Sequence, residues 1–341
     1  MTYYYKRQVT PVNYIELGEL PTFRNGDVAM TTAIITAMAN IPGRVEYTEP
    51  SPIIEDVWSD GRNVKYSDVV GYKPGALSIP SHPMKSGKLW YYAVGSCSTA
   101  GVAGAYSHNI VEADTLPNLG FHCEMEHATT AENVIVDLVG ATNDDIVLTF
   151  GQDAPTELSA NFKVSLSISG NNITRSTALD FKGNYLPGQF TASLIYNTTA
   201  TNFTILSGTV TVKNTVELDK ANSKFPTSAS PLKREYEVAL EGLLTKRTLF
   251  DVPDDPRDYS SSKMTFALKV YRGASSAADF QRFSFTSLRM DKLMSEKIDD
   301  NEYRWKANIL LHNAGARNAT TSAGKLTVNI EDDLSGKHYE G

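Results

Sequence analysis

The sequence has little cysteine, no cluster of positive charge and no long apolar run. Its two cysteines, Cys97 and Cys123, are too few for a framework of disulfides. Lysine and arginine are scattered and the net charge is −7, which disfavours a protein that grips nucleic acid by neutralising phosphates. The longest apolar-leaning run, 28–41, is too short to span a bilayer. No apolar core of a signal peptide follows residues 1–7, so we expect a protein made in the cytoplasm, with no membrane association.

Aromatic residues are plentiful and point to a β-rich fold. The chain contains 17 tyrosines and 13 phenylalanines, residue types that suit the pleated surface of strands. A hydrophobic fraction of 41% with 21% charged residues is typical of a globular protein rather than a disordered one.

Apolar residues alternate with polar ones in two segments, 119–125 and 158–166, as in strands with one buried and one solvated face. Adding 145 to each number places the alternation on 264–270 and 303–311 without a gap. The same offset maps the turn dipeptide Pro42-Gly43 onto Pro187-Gly188. We therefore predict a tandem duplication in which 31–166 and 176–311 share one fold.

The predicted architecture is mainly β, with two tandem antiparallel β-barrel or sandwich domains of one kind, each with a short flanking helix. The predicted boundaries are an N-terminal arm (1–30), a first domain (31–170) and a second domain (171–341) with a C-terminal strand. A helix is predicted over 85–94, ended by Gly95, and a helical turn over 246–252. The stretch 48–83 is broken by proline and glycine into short strands and a long excursion, and 325–330 opens a third copy or is lent to a neighbour.

Residues with catalytic chemistry occur without a catalytic pattern. Five residues look like a ligand cluster: His122, Cys123, Glu124, Glu126 and His127. The alternation of a strand places Cys123 and His127 on the face opposite the other three, and Cys123 is expected to be a small buried hydrophobe there. Asp144-Asp145 is expected in a solvated turn. No nucleophile elbow, zinc motif or phosphate loop is present, so we expect no cofactor, no metal and no enzyme activity.

Three segments carry a family resemblance: His108-Asn-Ile-Val-Glu-Ala-Asp-Thr-Leu-Pro-Asn-Leu-Gly-Phe121, Leu89-Trp-Tyr-Tyr-Ala-Val-Gly95 and Val212-Lys-Asn214. They resemble the tail tube proteins of long-tailed bacteriophages and related archaeal viruses. The resemblance implies β domains with a flanking helix, six to a ring, so that a two-domain chain forms trimeric rings of pseudo-sixfold symmetry. Such rings stack around a tape-measure protein and meet terminator and tip proteins. DNA passes through the bore without specific binding, and the assembled protein is part of the virion.

The faces opposite the apolar ones are the candidates for the channel wall. If the apolar faces of the alternating strands point inward, the polar faces of both halves line the lumen, which would be polar and of mixed sign: His122, Glu124, Glu126, Glu157, Ser159, Asn161, Lys163, Lys269, Arg304, Lys306 and Asn308. The alternative function is a β-sandwich binding module, carbohydrate-binding or adhesin-like, with aromatics such as Tyr91, Tyr92 or Tyr271 on an exposed strand face. A hydrolase built on a β scaffold is a further alternative.

Overall fold

The computed structural model describes most of the chain, in segments separated by gaps. The described segments are 10–12, 14–32, 45–48, 51–56, 68–84, 87–102, 105–125, 134–173, 184–196, 199–200, 203–219, 225–244, 264–273, 279–297, 305–313 and 326–332.

These segments form strands and one α-helix, which confirms the mainly β prediction. In the first half they are β1 (Thr10–Val12), β2 (Tyr14–Glu19), β3 (Val45–Thr48), β4 (Ser51–Asp56), β5 (Asp68–Lys73), β6 (Gly75–Pro83), α1 (Lys88–Val94), β7 (Gly95–Val102), β8 (Ala105–Glu112), β9 (Leu119–Met125), β10 (Val134–Gly151) and β11 (Glu157–Ser169). In the second half they are β12 (Phe190–Tyr196), β13 (Thr199–Ala200), β14 (Phe203–Asp219), β15 (Ser228–Leu244), β16 (Met264–Tyr271), β17 (Phe280–Lys297), β18 (Trp305–Asn313) and β19 (Leu326–Asp332).

One order of six antiparallel strands occurs in both halves. In the first half the neighbours run β2-β9-β10-β11-β6-β3. In the second half they run β12-β16-β17-β18-β15-β14. If the six strands of each half are counted along the chain, both orders are first, fourth, fifth, sixth, third, second. The two halves therefore share one connectivity.

The long fifth strands, β10 and β17, also carry bulges at matching places. Beside β9, β10 has one extra residue between Val139 and Ala141, and β17 has one extra residue where it passes Met264–Phe266 of β16. Four residues further on, the ladder skips position 144 in β10 and position 291 in β17. Both skipped residues are aspartates, Asp144 and Asp291. A bulge bends a strand at a fixed point, so the two strands bend at the same place in the order.

The gapless offset of 145 holds only between β9 and β16. Upstream it is wrong, because the strand that follows Pro187-Gly188 is β12, the first of its six, whereas the strand that follows Pro42-Gly43 is β3, the second of its six.

The numbering difference is 145 between Phe121 and Phe266, but it is 147 between their ladder partners Leu138 and Phe285. On the sixth strand Phe162 and Leu311 hold corresponding positions, a difference of 149. The numbering difference between the halves grows by two residues from one strand to the next. Because two residues are one full period of strand alternation, the hydrophobic pattern alone could not reveal this change.

The two halves are joined into one hydrogen-bonded network with one continuous core. The end of β10 pairs with β14, and β19 pairs with both β17 and β8. The buried apolar side chains of both halves form a single cluster. The sheet is not closed, because β2 and β7 each pair along one edge only among the described strands. The strand at 325–330 thus lies within its own chain as β19.

The predicted helix is confirmed as α1, Lys88–Val94. Gly95 ends it in a left-handed conformation with φ 115°, and its backbone N–H donates to the Tyr91 carbonyl. Trp90 is fully buried and packs edge-to-face on Phe283 of β17, with ring centroids 4.8 Å apart. The helix from the first half is therefore part of the contact with the second.

The described part of the predicted N-terminal arm contributes two strands to the chain's own sheet. β2 pairs with β9 along its whole length and β1 pairs with β3. The predicted excursion contains a hairpin, β4–β5, that forms a separate two-stranded sheet. The predicted helical turn at 246–252 and the Pro42-Gly43 turn lie outside the described residues.

Candidate functional site: the predicted channel wall and the polar clusters behind it

The predicted wall residues of β11 are partly exposed, and three of them, Glu157, Asn161 and Lys163, are held by side-chain contacts. The Ser81 hydroxyl donates to Glu157 at 2.7 Å, and the Asn161 amide donates to Asp145 at 2.8 Å. The Lys163 ammonium lies 3.1 Å from an Asp144 oxygen and donates to the Val216 carbonyl. Ser159 is likewise partly exposed, opposite Val147 in the ladder. This strand therefore presents a polar surface of fixed side chains and mixed sign.

Asp144 and Asp145 were expected in a turn, but they lie in the middle of β10. The bulge between Asn143 and Asp145 accommodates the extra residue, which explains how a polar pair interrupts a long strand. Burial raises the pKa of the Asp145 carboxyl, the Asn161 hydrogen bond opposes this, and the charge of Asp144 reinforces it. The acidic pair therefore belongs to the polar surface next to β11.

His122 and Glu124 are buried, which contradicts the expectation that this face of β9 is wet. His122 is fully buried and Glu124 is 5% exposed. Residues 20–30 cover this face: Met30 and Leu20 pack against Gly120, and Phe23 packs against Gly140. These two side chains face the interior of their own chain, so they are not available to a channel wall.

The second-half candidates are less fully described. Asn308 is exposed. Lys269 is partly exposed and its ammonium lies 3.6 Å from the centre of the Phe280 ring, a cation–π contact. Lys306 lies on β18 but its side chain is outside the described part, and Glu126 and Arg304 are outside the described residues altogether.

His122 is bound at both ring nitrogens by carboxylates. Nδ1 lies 2.6 Å from Asp137 Oδ1 and Nε2 lies 3.1 Å from Glu124 Oε1. The backbone N–H of Met30 donates to the other oxygen of Asp137 at 2.6 Å. Burial alone would lower the pKa of His122, but the hydrogen bonds and charges of Asp137 and Glu124 outweigh it, so the pKa lies above its ordinary value of 6.5.

A second buried polar network connects the two halves. The Asn214 amide of β14 donates to the Ala93 carbonyl at the end of α1 at 3.0 Å and to Asn143 Oδ1 of β10 at 3.1 Å. Its own oxygen accepts from Arg234 Nε of β15 at 2.8 Å. All three side chains are 2% exposed or less. Sequence reasoning missed this network, and the one available signal was an asparagine and an arginine at apolar phase in β14 and β15.

The C-terminal strand is attached by a further buried pair. His108 Nε2 of β8 lies 3.2 Å from Asp332 Oδ1 of β19, and Thr99 Oγ1 lies 2.9 Å from His108 Nδ1. Both are side-chain contacts across strands that pair in the ladder. They strengthen the junction between the β7–β8 hairpin of the first half and the end of the chain.

Lys88, the first residue of α1, is a buried amine. Burial lowers its pKa to about 8, which the charges of Glu19 and Cys97 partly oppose. Burial in turn raises the pKa of Glu19. Burial of this pair at the start of the helix therefore costs desolvation free energy.

The aromatics proposed for a binding module do not form an exposed strand surface. Tyr91 and Tyr92 lie on α1, where Tyr92 is fully buried and Tyr91 packs against the core. Tyr271 is partly exposed on β16. The described geometry thus offers no stacking platform from these three residues.

No protein-family model matches the chain, and no curated protein matches it significantly. Within the described segments, no three His, Cys, Asp or Glu side chains are grouped as ligands for a metal ion. No helix in the described part has the length and hydrophobicity of a membrane span.

Proposed function

We propose that this chain is a viral structural protein that assembles into stacked rings forming a hollow tail tube. Three chains supply six β domains per ring, and the genome passes through the bore. The observation that carries the proposal is the repeated strand order, together with the matching bulges in β10 and β17. The choice of the tail tube family is supported by the three sequence segments that resemble tail tube proteins.

Duplication supports the ring because two copies of one domain can make one type of contact in succession. A head-to-tail contact closes into a ring when its rotation divides a full turn. With two equivalent domains per chain, each ring needs half as many chains as domains. On this proposal the first domain also includes β2, from the segment predicted as an arm, and the in-chain junction at β10–β14 is where one domain meets the next.

The proposed channel wall consists of the exposed and half-exposed candidates: Glu157, Ser159, Asn161, Lys163, Lys269 and Asn308. Fixed polar side chains of mixed sign on a chain of net charge −7 would not hold a polyanion, because gripping DNA requires phosphate neutralisation by clustered cations. The remaining partners of the proposal are a tape-measure protein inside the tube and terminator and tip proteins at its ends.

Electron microscopy of the concentrated, negatively stained protein tests the assembly. We expect tubes or stacked rings of about 100 Å or less across, the width of six small domains in a circle. Analytical ultracentrifugation of the smallest assembled species should give a mass of three chains. A protein that remains monomeric at all concentrations and salt conditions contradicts the proposal.

The wall assignment has a separate test on assembled tubes. The variant Asn308→Cys should react with a small maleimide but not with a maleimide carried on a large protein, because the bore excludes the large reagent. The same variant before assembly should react with both, and the wild-type chain reports the background from Cys97. Labelling of tubes by the large reagent would place Asn308 on the outer wall.

A further inference from the structure

One contact between the halves joins the fifth strand of the first half, β10, to the second strand of the second half, β14. Along one edge of β10, β9 pairs with the residues up to Ala141, and β14 then pairs antiparallel with residues 145–151. The opposite edge of β10 is held by β11. A continuous ladder of seven residue pairs, from Asp145 opposite Lys213 to Gly151 opposite Ser207, therefore connects one half to the next.

The corresponding edge of β17, the fifth strand of the second half, is open. β16 pairs with β17 as far as Leu288, and β18 holds the opposite edge from there to Lys297. Because Asp144 and Asp291 occupy the same skipped position, residues 145–150 of β10 correspond to residues 292–297 of β17. Among the described strands, none pairs with 292–297 along the edge that β16 leaves. The contact made by β10 is thus repeated on β17 only as far as the empty edge.

The strand that would complete the repeat is β3, the first-half counterpart of β14. Both are the second strand of their half along the chain and the last in its strand order. β14 of this chain is already paired with β10, and β3 lies in the other half from β17. A second copy of the chain can supply β3 to β17 in the way that the second half supplies β14 to β10.

Ladder partners traced outward from two corresponding residues give the register of such a contact. In the first half the trace crosses β11, β6 and β3 at Phe162, Leu77 and Tyr47. In the second half it crosses β18, β15 and β14 at Leu311, Val238 and Val210. Val210 lies opposite Leu148 of β10, and Leu148 corresponds to Ser295 of β17. Repetition of the contact therefore places Tyr47 of one copy opposite Ser295 of another.

The edge of β3 that this contact needs is covered by β1 in the single chain. The β1–β3 ladder has three residue pairs, and its central pair is Pro11 opposite Glu46. Proline has no backbone N–H, so β1 has one hydrogen-bond donor fewer than other strands of its length. Short strands and prolines are means by which proteins protect a sheet edge from strand addition. β1 is therefore a weak cover over the edge of β3.

We propose that β17 and β3 join neighbouring copies of the chain. Residues 292–297 of one copy pair antiparallel with Val45–Thr48 of the next, after β1 has left β3. Each chain then has one open edge and one covered edge, and the covered edge accepts a strand only once β1 is displaced. This head-to-tail contact repeats the in-chain junction, so the inference rests on the proposed assembly and identifies the strands that meet in it.

Two engineered cysteines test the strand pairing in the assembled protein. In the proposed register Thr48 of one copy lies opposite Met294 of the next, and directly opposed residues have Cα atoms about 4.5–5.5 Å apart, which suits a disulfide. With Cys97→Ser as background, oxidised tubes of Thr48→Cys, Met294→Cys should give covalent dimers and trimers on a denaturing gel. The control Thr48→Cys, Ser295→Cys should stay monomeric, because neighbouring residues of a strand point to opposite faces.

A disulfide between β1 and β3 tests the release of β1. Val12 and Val45 are ladder partners, so oxidised Val12→Cys, Val45→Cys, again with Cys97→Ser, holds β1 on β3. The oxidised protein should remain unassembled at concentrations at which its reduced form, and oxidised Cys97→Ser, form tubes. If Val45→Cys does not fold, Pro11→Val serves instead: it restores a backbone N–H to β1 and should raise the concentration needed for assembly.

The outcomes separate this inference from the proposed function. Tubes in which positions 48 and 294 do not cross-link would overturn the strand pairing and leave the tail tube proposal standing. Locked protein that assembles as readily as its reduced form would overturn the role of β1. A wild-type chain that never assembles contradicts the proposed function and this inference together.

Discussion

The substitution Asn214→Leu should be strongly destabilising, because one side chain holds together three elements from both halves. It removes the donor to the Ala93 carbonyl, the donor to Asn143 and the acceptor of Arg234 Nε. Leucine is γ-branched like asparagine and larger, so no cavity forms, and the main effect is the loss of hydrogen bonds, with some overpacking added to it.

The size of the loss in stability depends on the buried polar groups that the substitution leaves without a partner. Each buried polar group without a partner costs about 1–3 kcal/mol, and more for a charged group such as the Arg234 guanidinium. Allowing for partial relaxation, we expect the free energy of unfolding to fall by about 3–5 kcal/mol, the range typical of breaking a buried charged contact. Asn143 retains its own donations to the Asp145 and Asn161 carbonyls, which limits the damage on β10.

Urea unfolding followed by circular dichroism measures this loss as a shift in midpoint at constant slope. Thr215→Ala, at the exposed neighbouring position of β14, is the matched control and should stay within about 0.5 kcal/mol of wild type. The double variant Asn214→Leu, Arg234→Met should recover part of the loss, because the stranded charge is gone. A single variant within about 1 kcal/mol of wild type would refute the network's role in stability.

Three further predictions concern the helix and the cysteines. Gly95→Ala should destabilise by more than about 1 kcal/mol, because the added Cβ would lie 2.7 Å from a backbone oxygen at a left-handed φ, whereas Gly273→Ala, at φ 77° with open space, should cost less in the same thermal melt. Lys88→Met should raise the free energy of unfolding at pH 7 by on the order of 3 kcal/mol. In the wild type, stability should rise from about pH 8, where the native amine loses its proton, to 10.5, and this slope should vanish in the variant. Ellman's reagent should titrate Cys97, which is partly exposed, in the native protein but reach Cys123 only after denaturation, since burial raises the pKa of its thiol and removes it from solvent.

Alternation predicted the strands whose one face lies in the core, and it did so because that signal is local. β9, β11 and β16 were each found from side chains two residues apart, and α1 from helical spacing ended by Gly95. The burial of Cys123 followed from its phase in β9 and is confirmed.

The burial of the His122 and Glu124 face of β9 could not be predicted in the same way, because the segment that covers this face is distant in the chain. The Met30 N–H that binds Asp137, the carboxylate partner of His122, is 107 residues away from Asp137 in sequence. On β11, similarly, the Pro226 carbonyl that accepts from Ser165 is 61 residues away. A polar residue on a strand is predicted to be solvated unless the segment that covers it is known. Burial could therefore not be predicted from the sequence for His122, Glu124 or the Asn143–Asn214–Arg234 network. The residues that cover them are distant in the chain, and no local pattern connects the two.

The bulges carry more weight for duplication than the alternation that first suggested it. Any two β-rich halves share period two, and the drift from 145 to 149 shows that hydrophobic phase alone tolerates a wrong alignment. A bulge, by contrast, breaks the ladder at one residue and is not required by composition. Along one edge of β17, the hydrogen-bonded neighbour changes from β19 to β18 at the first bulge. Along one edge of β10, the hydrogen-bonded neighbour changes from β9 to β14 at the second bulge. Each long strand thus bends where it changes neighbours, and an aspartate occupies the position skipped at the second bulge in both. The proposed duplication is based on these bulges and on the shared strand order, not on alternation.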